Sequence, residues 1–128
     1  MNLLELTDPA RQFARSMMDK YGDSGLENLD MHMDTRQPEP TAELSDIWIK
    51  KEAQDYGTGT QVLLDIVQWA DQTGTIIYLS LGDKDPARGT TSRERLRKFY
   101  KRFGFVDNKN RNKRFDLSMY AHMYRLPH

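Results

Sequence analysis

The chain has no cysteine, which excludes a disulfide framework, a thiolate metal site and a cysteine nucleophile. Its three histidines, at 32, 122 and 128, lack the spacing of metal ligands, and no metal is expected. No stretch approaches the roughly 18 consecutive apolar residues that a membrane-crossing helix needs. The opening segment, MNLLELTDPARQF, has no basic flank ahead of a long apolar run. Neither a membrane partner nor a targeting segment is expected, and the expected setting is cytoplasmic. Low-complexity tracts and internal repeats are also missing. The 128 residues, 38% hydrophobic and 30% charged, suffice for one packed core and are too few for two domains.

The net charge of zero conceals an asymmetry. Residues 1–46 carry ten acids against four bases, and residues 93–114 carry ten bases against two acids. An acidic region gathers cations, and a basic one gathers phosphates, whether of a small molecule or of nucleic acid.

Thr7 or Asp8 ahead of Pro9 reads as a helix start, and Ala10, Phe13, Ala14, Met17 and Tyr21 follow at helical spacing. Leu29, Met31 and Met33 alternate with Asp30, His32 and Asp34 as a half-buried strand does. After the turn at Pro38-Glu39-Pro40, residues 43–50 read as a second strand, antiparallel to the first. Val62, Leu63, Ile66, Val67 and Ala70 mark a helix that Gly74 ends, and residues 75–81 form an apolar run typical of a buried strand. The strands at 43–50 and 75–81 are therefore expected to lie side by side and parallel. A polar loop spans 82–90. Thr91 with Glu94 reads as a capping box for a helix with Leu96, Phe99, Tyr100 and Phe103 on its inner face. Phe105-Val106 begins a strand, the polar run 107–114 turns the chain, and residues 115–126 are expected as a long final strand.

Two segments carry chemistry. Gln54-Asp55-Tyr56-Gly57-Thr58-Gly59 is a Q-x-x-G-x-G stretch between a strand and a helix, where glycines let successive amides point at an anion. About forty residues later, Leu96 to Phe105 gives L-x-x-F-Y-x-R-x-G-F. Together with Ala42-Glu43-Leu44 on the preceding strand and Met123 to Pro127 at the end, these segments resemble the GNAT superfamily of acyl-CoA-dependent N-acetyltransferases over residues 42–127. The resemblance implies an α/β fold with a central mixed β-sheet flanked by helices. It also implies a single domain, 1–128, in which residues 1–41 are a shortened acceptor-side part and 42–127 bind acetyl-CoA.

What the resemblance implies about function is acetyl transfer from acetyl-CoA to a primary amine by direct attack in a ternary complex. Acetyl-CoA lies in an opening between the two parallel strands, along Ile47, Trp48, Ile49 and Lys50. A backbone amide near Ile49 or Lys50 polarises the thioester carbonyl. Gln54, Asp55, Tyr56, Gly57, Thr58, Gly59 and Thr60 form the pyrophosphate segment, with the amides of 56–60 as donors. Ser92, Phe99 and Arg102 complete the cofactor side. Tyr100 matches the family tyrosine that protonates the departing thiolate, although helical spacing alone makes it a core residue. Glu43 is the first candidate for general base, Asp46 the second, and His32 a further one. The acceptor is a small-molecule or protein amine, expected to be cationic given the acidic residues Glu27, Asp30, Asp34, Glu39, Glu43 and Asp46. Two rivals stand beside this reading: a non-catalytic acyl-CoA-binding module, and nucleic-acid binding through the basic 93–114 region. A monomer or a homodimer is expected.

Overall fold

A computed structural model of the chain describes residues 7–82, 92–115 and 121–128. Helix α1 (Pro9–Tyr21) begins at Asp8, whose carboxylate accepts the amides of Ala10 and Arg11 at 2.9 and 3.1 Å. The same carboxylate accepts the amide of Met33 at 3.0 Å, so one cap also fastens the helix to the end of strand β1 (Leu26–Met33). Strand β2 (Thr41–Ile49), the single turn α2 (Lys51–Gln54), helix α3 (Thr58–Thr73) and strand β3 (Ile76–Leu79) follow. Helix α4 (Arg93–Lys101) and the short strands β4 (Val106–Asp107) and β5 (Met123–Arg125) complete the order.

The five strands form one sheet in the order β1-β2-β3-β5-β4. β2 and β3 are parallel and every other pair is antiparallel. This is the mixed sheet flanked by helices that the sequence predicts. Ala10, Ala14 and Met17 of α1 and Val62, Leu63, Ile66 and Ala70 of α3 join one core with Leu29, Met31, Ala42, Leu44, Ile77 and Leu79. The alternate β3 residues Ile76 and Tyr78 face a second cluster with Phe115, Ala121 and Tyr124. That split follows from the two-residue period of a strand.

The β1–β2 ladder is irregular where it matters. Leu29 pairs with Ile47 and Asp30 with Asp46, but Met31 pairs with Leu44, leaving Ser45 as an extra residue on β2. Such a bulge shifts the alternation by one position. Ala42 and Leu44 before it, and Ile47 and Ile49 after it, all turn to the same core. Asn28, Asp30, His32, Glu43, Asp46 and Trp48 are left off that core, on the polar side of the ribbon.

Some expected boundaries change. The long final strand predicted over 115–126 is a strand only at Met123–Arg125, and residues 116–120 lie outside the described ones. Its start is organised by a side chain instead of a ladder. Asn108, 5% exposed, accepts the amides of Arg114 and Phe115 at 2.7 and 3.3 Å and donates to the Ala121 carbonyl at 2.8 Å. A buried amide that finds such partners fixes the path of the chain around it. The loop predicted at 82–90, apart from Gly82, and the Thr91 cap also lie outside the described residues. The helix start that is described uses Ser92, whose hydroxyl accepts the Arg95 amide at 3.1 Å. Among the described residues, no helix is long and apolar enough to cross a membrane.

Candidate active site

Among the described residues, the β2–β3 ladder runs from Thr41–Ile76 to Leu44–Leu79 and ends there, while β2 continues to Ile49 beside β1. The second half of β2 is thus a strand with one edge paired and the other turned towards an opening. Lys50 donates its backbone amide to the Gly25 carbonyl at 2.8 Å, on the β1 side. Because backbone groups alternate along a strand, the amide of Ile49 then points to the opposite edge. Lys50 therefore drops out of the expected thioester donors, and Ile49 stays in position for that role.

Past the strand, the chain makes the turn α2 and enters α3 through Gly57, at φ +80°. Glycine adopts this left-handed conformation without the steric cost that a Cβ brings. No side chain caps α3, so the amides of its first turn have no donor-satisfying group from a cap residue. A bare, unneutralised helix N-terminus of this kind attracts an anion. The Tyr56 amide is not part of it, because it donates to the Ala53 carbonyl at 3.2 Å. Donors here run from Gly57 to Thr60, one residue fewer than predicted.

The side chains of this segment are mostly structural. Gln54 donates to the Ile49 carbonyl at 3.0 Å, tying the turn to the end of β2. Thr58 donates to the Ser24 carbonyl at 2.9 Å and is buried. Asp55 is exposed and Tyr56 is 86% exposed. Gly25, at φ +107°, lies so close to Ala53 that a Cβ there would overlap the alanine methyl. The turn is held to the start of β1 by that contact.

Helix α4 reaches the same opening. A Cβ placed on Gly59 would meet the Phe99 ring at 3.7 Å and Ile49 at 3.9 Å, so α3, β2 and α4 converge within van der Waals reach. Arg102 lies over the Phe99 ring, 5.8 Å from its centre, which brings a cation to this side of the molecule. Tyr100 is 6% exposed and packs edge-on against Phe99 and Phe105. Its hydroxyl is not among the buried side-chain polar atoms left without a partner, which among the described residues are the Nε atoms of Arg11 and Arg97. Burial, and then the charge of Asp46, push its phenol well above the ordinary range, so it keeps its proton.

The remaining candidates sit along the polar side of the β1–β2 ribbon. His32 and Glu43 pair across the strands, with Nε2 3.0 Å from Oε2. Glu43 also neighbours Tyr78 in register, and Tyr78 donates to Asp34 at 2.9 Å. Trp48 is 36% exposed at the end of this side. Sequence reasoning missed the Ser45 bulge, although a signal existed: the apolar positions 42 and 44 fall out of step with 47 and 49. It also missed Asn108, hidden inside a polar run. The basic 93–114 region is partly neutralised from within, Arg97 and Lys101 by Asp107 at 2.7 and 3.4 Å and Arg114 by Glu39.

A model of the acetyltransferase (GNAT) family matches residues 28–105, more than half of the chain, and the chain belongs to that family. No curated protein matches it significantly.

Proposed function

We propose that this member of the GNAT family transfers the acetyl group of acetyl-CoA to a primary amine by direct attack within one ternary complex. The observation that carries the reading is a convergence: Gly59 at the uncapped start of α3, Ile49 of β2 and Phe99 of α4, the chain neighbour of Tyr100, meet within van der Waals reach where β2 leaves β3. Acetyl-CoA, when bound, supplies an acyl group activated as a thioester. The amides from Gly57 to Thr60 hold its pyrophosphate, Phe99 and Ile49 line its path, and the Ile49 amide polarises the thioester carbonyl. Arg102 adds positive charge on the same side. Holding donor and amine together supplies much of the rate enhancement.

Tyr100 donates its proton to the departing sulfur. The base is a carboxylate of the β1–β2 ribbon, Glu43 or Asp46; Glu43 lies 3.0 Å from His32, and Asp46 accepts from Asn28 at 2.6 Å. The nucleic-acid alternative has less behind it, since three of its cations are spent on Asp107 and Glu39.

The test is release of free thiol from acetyl-CoA in the presence of a panel of primary amines. Tyr100→Phe should lower kcat by about a hundredfold and leave acetyl-CoA affinity nearly unchanged. Binding of acetyl-CoA without turnover on any amine overturns the enzymatic reading in favour of a binding module.

A further inference from the structure

The two strands that frame the opening are held in different ways. β2 runs on past its last rung with β1 beside it, and backbone and side-chain bonds at Lys50 and Gln54 fasten its end. β3 stops at Leu79, which pairs with Leu44 on one side and Met123 on the other. The chain from Ser80 to Gly82 continues as the other lip of the opening and belongs to no strand. Leu81 is nevertheless buried, 3% exposed, in the core that holds Leu44 and Tyr100. Continuing the β3–β5 register would set it opposite Ala121, but the Ala121 carbonyl receives the Asn108 side chain. The Leu81 amide donates instead to a side chain, Nδ1 of His122, at 2.8 Å.

One ring thus stands in for a ladder bond at the lip. The backbone of His122 is fixed on both sides, its amide donating to the Leu79 carbonyl and its carbonyl accepting the Asn108 amide, each at 2.9 Å. A backbone amide can only donate, so Nδ1 is unprotonated and the neutral ring carries its proton on Nε2. A proton added to Nδ1 would set one N–H against another and break the bond. The ring is half-buried, so solvent protons reach it. Burial, and then the positive charges of Arg93 and Arg97 on α4, hold it below the ordinary imidazole value. Arg97 is itself paired with Asp107 of β4, and Ser80 and Leu81 bring no charge.

We infer that His122 is a positioning residue that works as a proton-sensitive latch: its neutral ring holds the β3 lip through the Leu81 amide, and proton uptake releases that lip. The functional consequence rests on the acetyl-transfer reading above, in which the lip borders the path of acetyl-CoA. Above about pH 6.5 the latch is closed. As the pH falls through the lower folded value of the ring, the latch opens and acetyl-CoA binding weakens with it. His122 touches neither donor nor acceptor and acts through Leu81.

The experiment follows three signals from about pH 7.5 down to about pH 4.5: the His122 ring by NMR, protection of the Leu81 amide from hydrogen exchange, and acetyl-CoA affinity by calorimetry. His122→Asn places an acceptor oxygen where Nδ1 stood and cannot titrate, so it should keep Leu81 protection throughout. Acetyl-CoA carries a titrating phosphate of its own, and affinity is therefore read against this variant. Relative to it, the wild type should lose about tenfold in affinity at the acid end, in step with its ring and with Leu81, while the Ile66 amide in the α3 core stays protected. His122→Phe keeps a ring without an acceptor and should bind weakly at both ends of the range. A ring still neutral at the acid end, a ring that titrates with Leu81 protection unchanged, or Ile66 losing protection together with Leu81 overturns the inference. Leu81 released with affinity unchanged overturns the role of His122 at the site. If acetyl-CoA binds at no pH, it is the acetyl-transfer reading that fails, and Leu81 decides the latch alone. Protection lost with the ring's titration in the wild type and kept in His122→Asn supports it, and parallel behaviour of the two proteins overturns it.

Discussion

Residues 42–44 of β2 are laddered to a strand on each side, whereas residues 46–49, among the described residues, pair with β1 alone. The first half is built for stability: Thr41, Ala42 and Leu44 are buried between β1 and β3. The second half is built to leave an edge open, and it pays for the missing ladder with local anchors. Lys50 bonds to the Gly25 carbonyl, Gln54 bonds to the Ile49 carbonyl, and Gly25 presses on Ala53. The difference between the halves begins at Ser45, where one extra residue keeps the apolar side chains on the core and moves Asp46 and Trp48 to the polar side. A single strand thus serves as core on one stretch and as site wall on the next.

The largest effect on this contrast should come from Gly25. Alanine there meets both a left-handed backbone, at about 1–2 kcal/mol, and overlap with Ala53, at about 1–3 kcal/mol. Gly25→Ala should therefore cost about 2–5 kcal/mol in urea unfolding. Adding Ala53→Gly should return part of the loss, because the overlapping methyl is gone while the backbone strain stays. A Gly25→Ala protein as stable as the wild type would show that the open half does not depend on this anchor.

A paired comparison sharpens the division directly. Leu44→Ala, in the closed half, removes a side chain that is 3% exposed and should cost about 2–5 kcal/mol. Ile49→Ala, in the open half, removes a half-buried one and should cost less than half as much. It should instead weaken acetyl-CoA binding by about tenfold or less, near 1 kcal/mol of apolar contact. Stability by denaturation and affinity by calorimetry separate the two. Equal stability losses with no change in affinity would mean that both halves are simply core.

Much of the first half's character was legible in the sequence, and little of the second half's. The helices at α1, α3 and α4 follow from apolar spacing, and the parallel pairing of β2 with β3 follows from strand, helix, strand order. Gln54 to Gly59, and Tyr100 in its F-Y-x-R-x-G-F setting, are the residues that the proposed function puts on the donor side. The pairing of His32 with Glu43 and of Asp30 with Asp46 could not be read, because one bulge decides the register and a bulge leaves only a one-residue slip in the pattern. Long-range contacts such as Gly25 with Ala53 leave no local trace at all. Asn108 looked like any residue of a polar run, since nothing in its neighbours announces that it is buried.

The smallest effect concerns how acid acts on the closed half. Asp34 sits at the end of β1, where its carboxylate accepts the Arg36 amide and guanidinium and the Tyr78 hydroxyl. The Arg36 guanidinium holds its carboxyl well below the usual carboxylate range, with the Tyr78 hydroxyl assisting. A folded-state value below the unfolded one means that the unfolded chain binds the proton first. The stabilisation is therefore complete above about pH 4, the unfolded carboxylate value, and is lost as the pH falls through the lower folded value. Asp34→Asn should lose about 1–3 kcal/mol at pH 7, the worth of hydrogen bonds to a charged group. That deficit should shrink as the pH drops below about 4, where the wild-type carboxylate is itself being neutralised. Since Asp34 bonds to Tyr78 in β3, next to Glu43 in register, the loss belongs to the half of β2 that is paired on both edges. A deficit that stayed constant from pH 7 to pH 2 would mean that Asp34 contributes by shape, and that the closed half owes nothing to its charge.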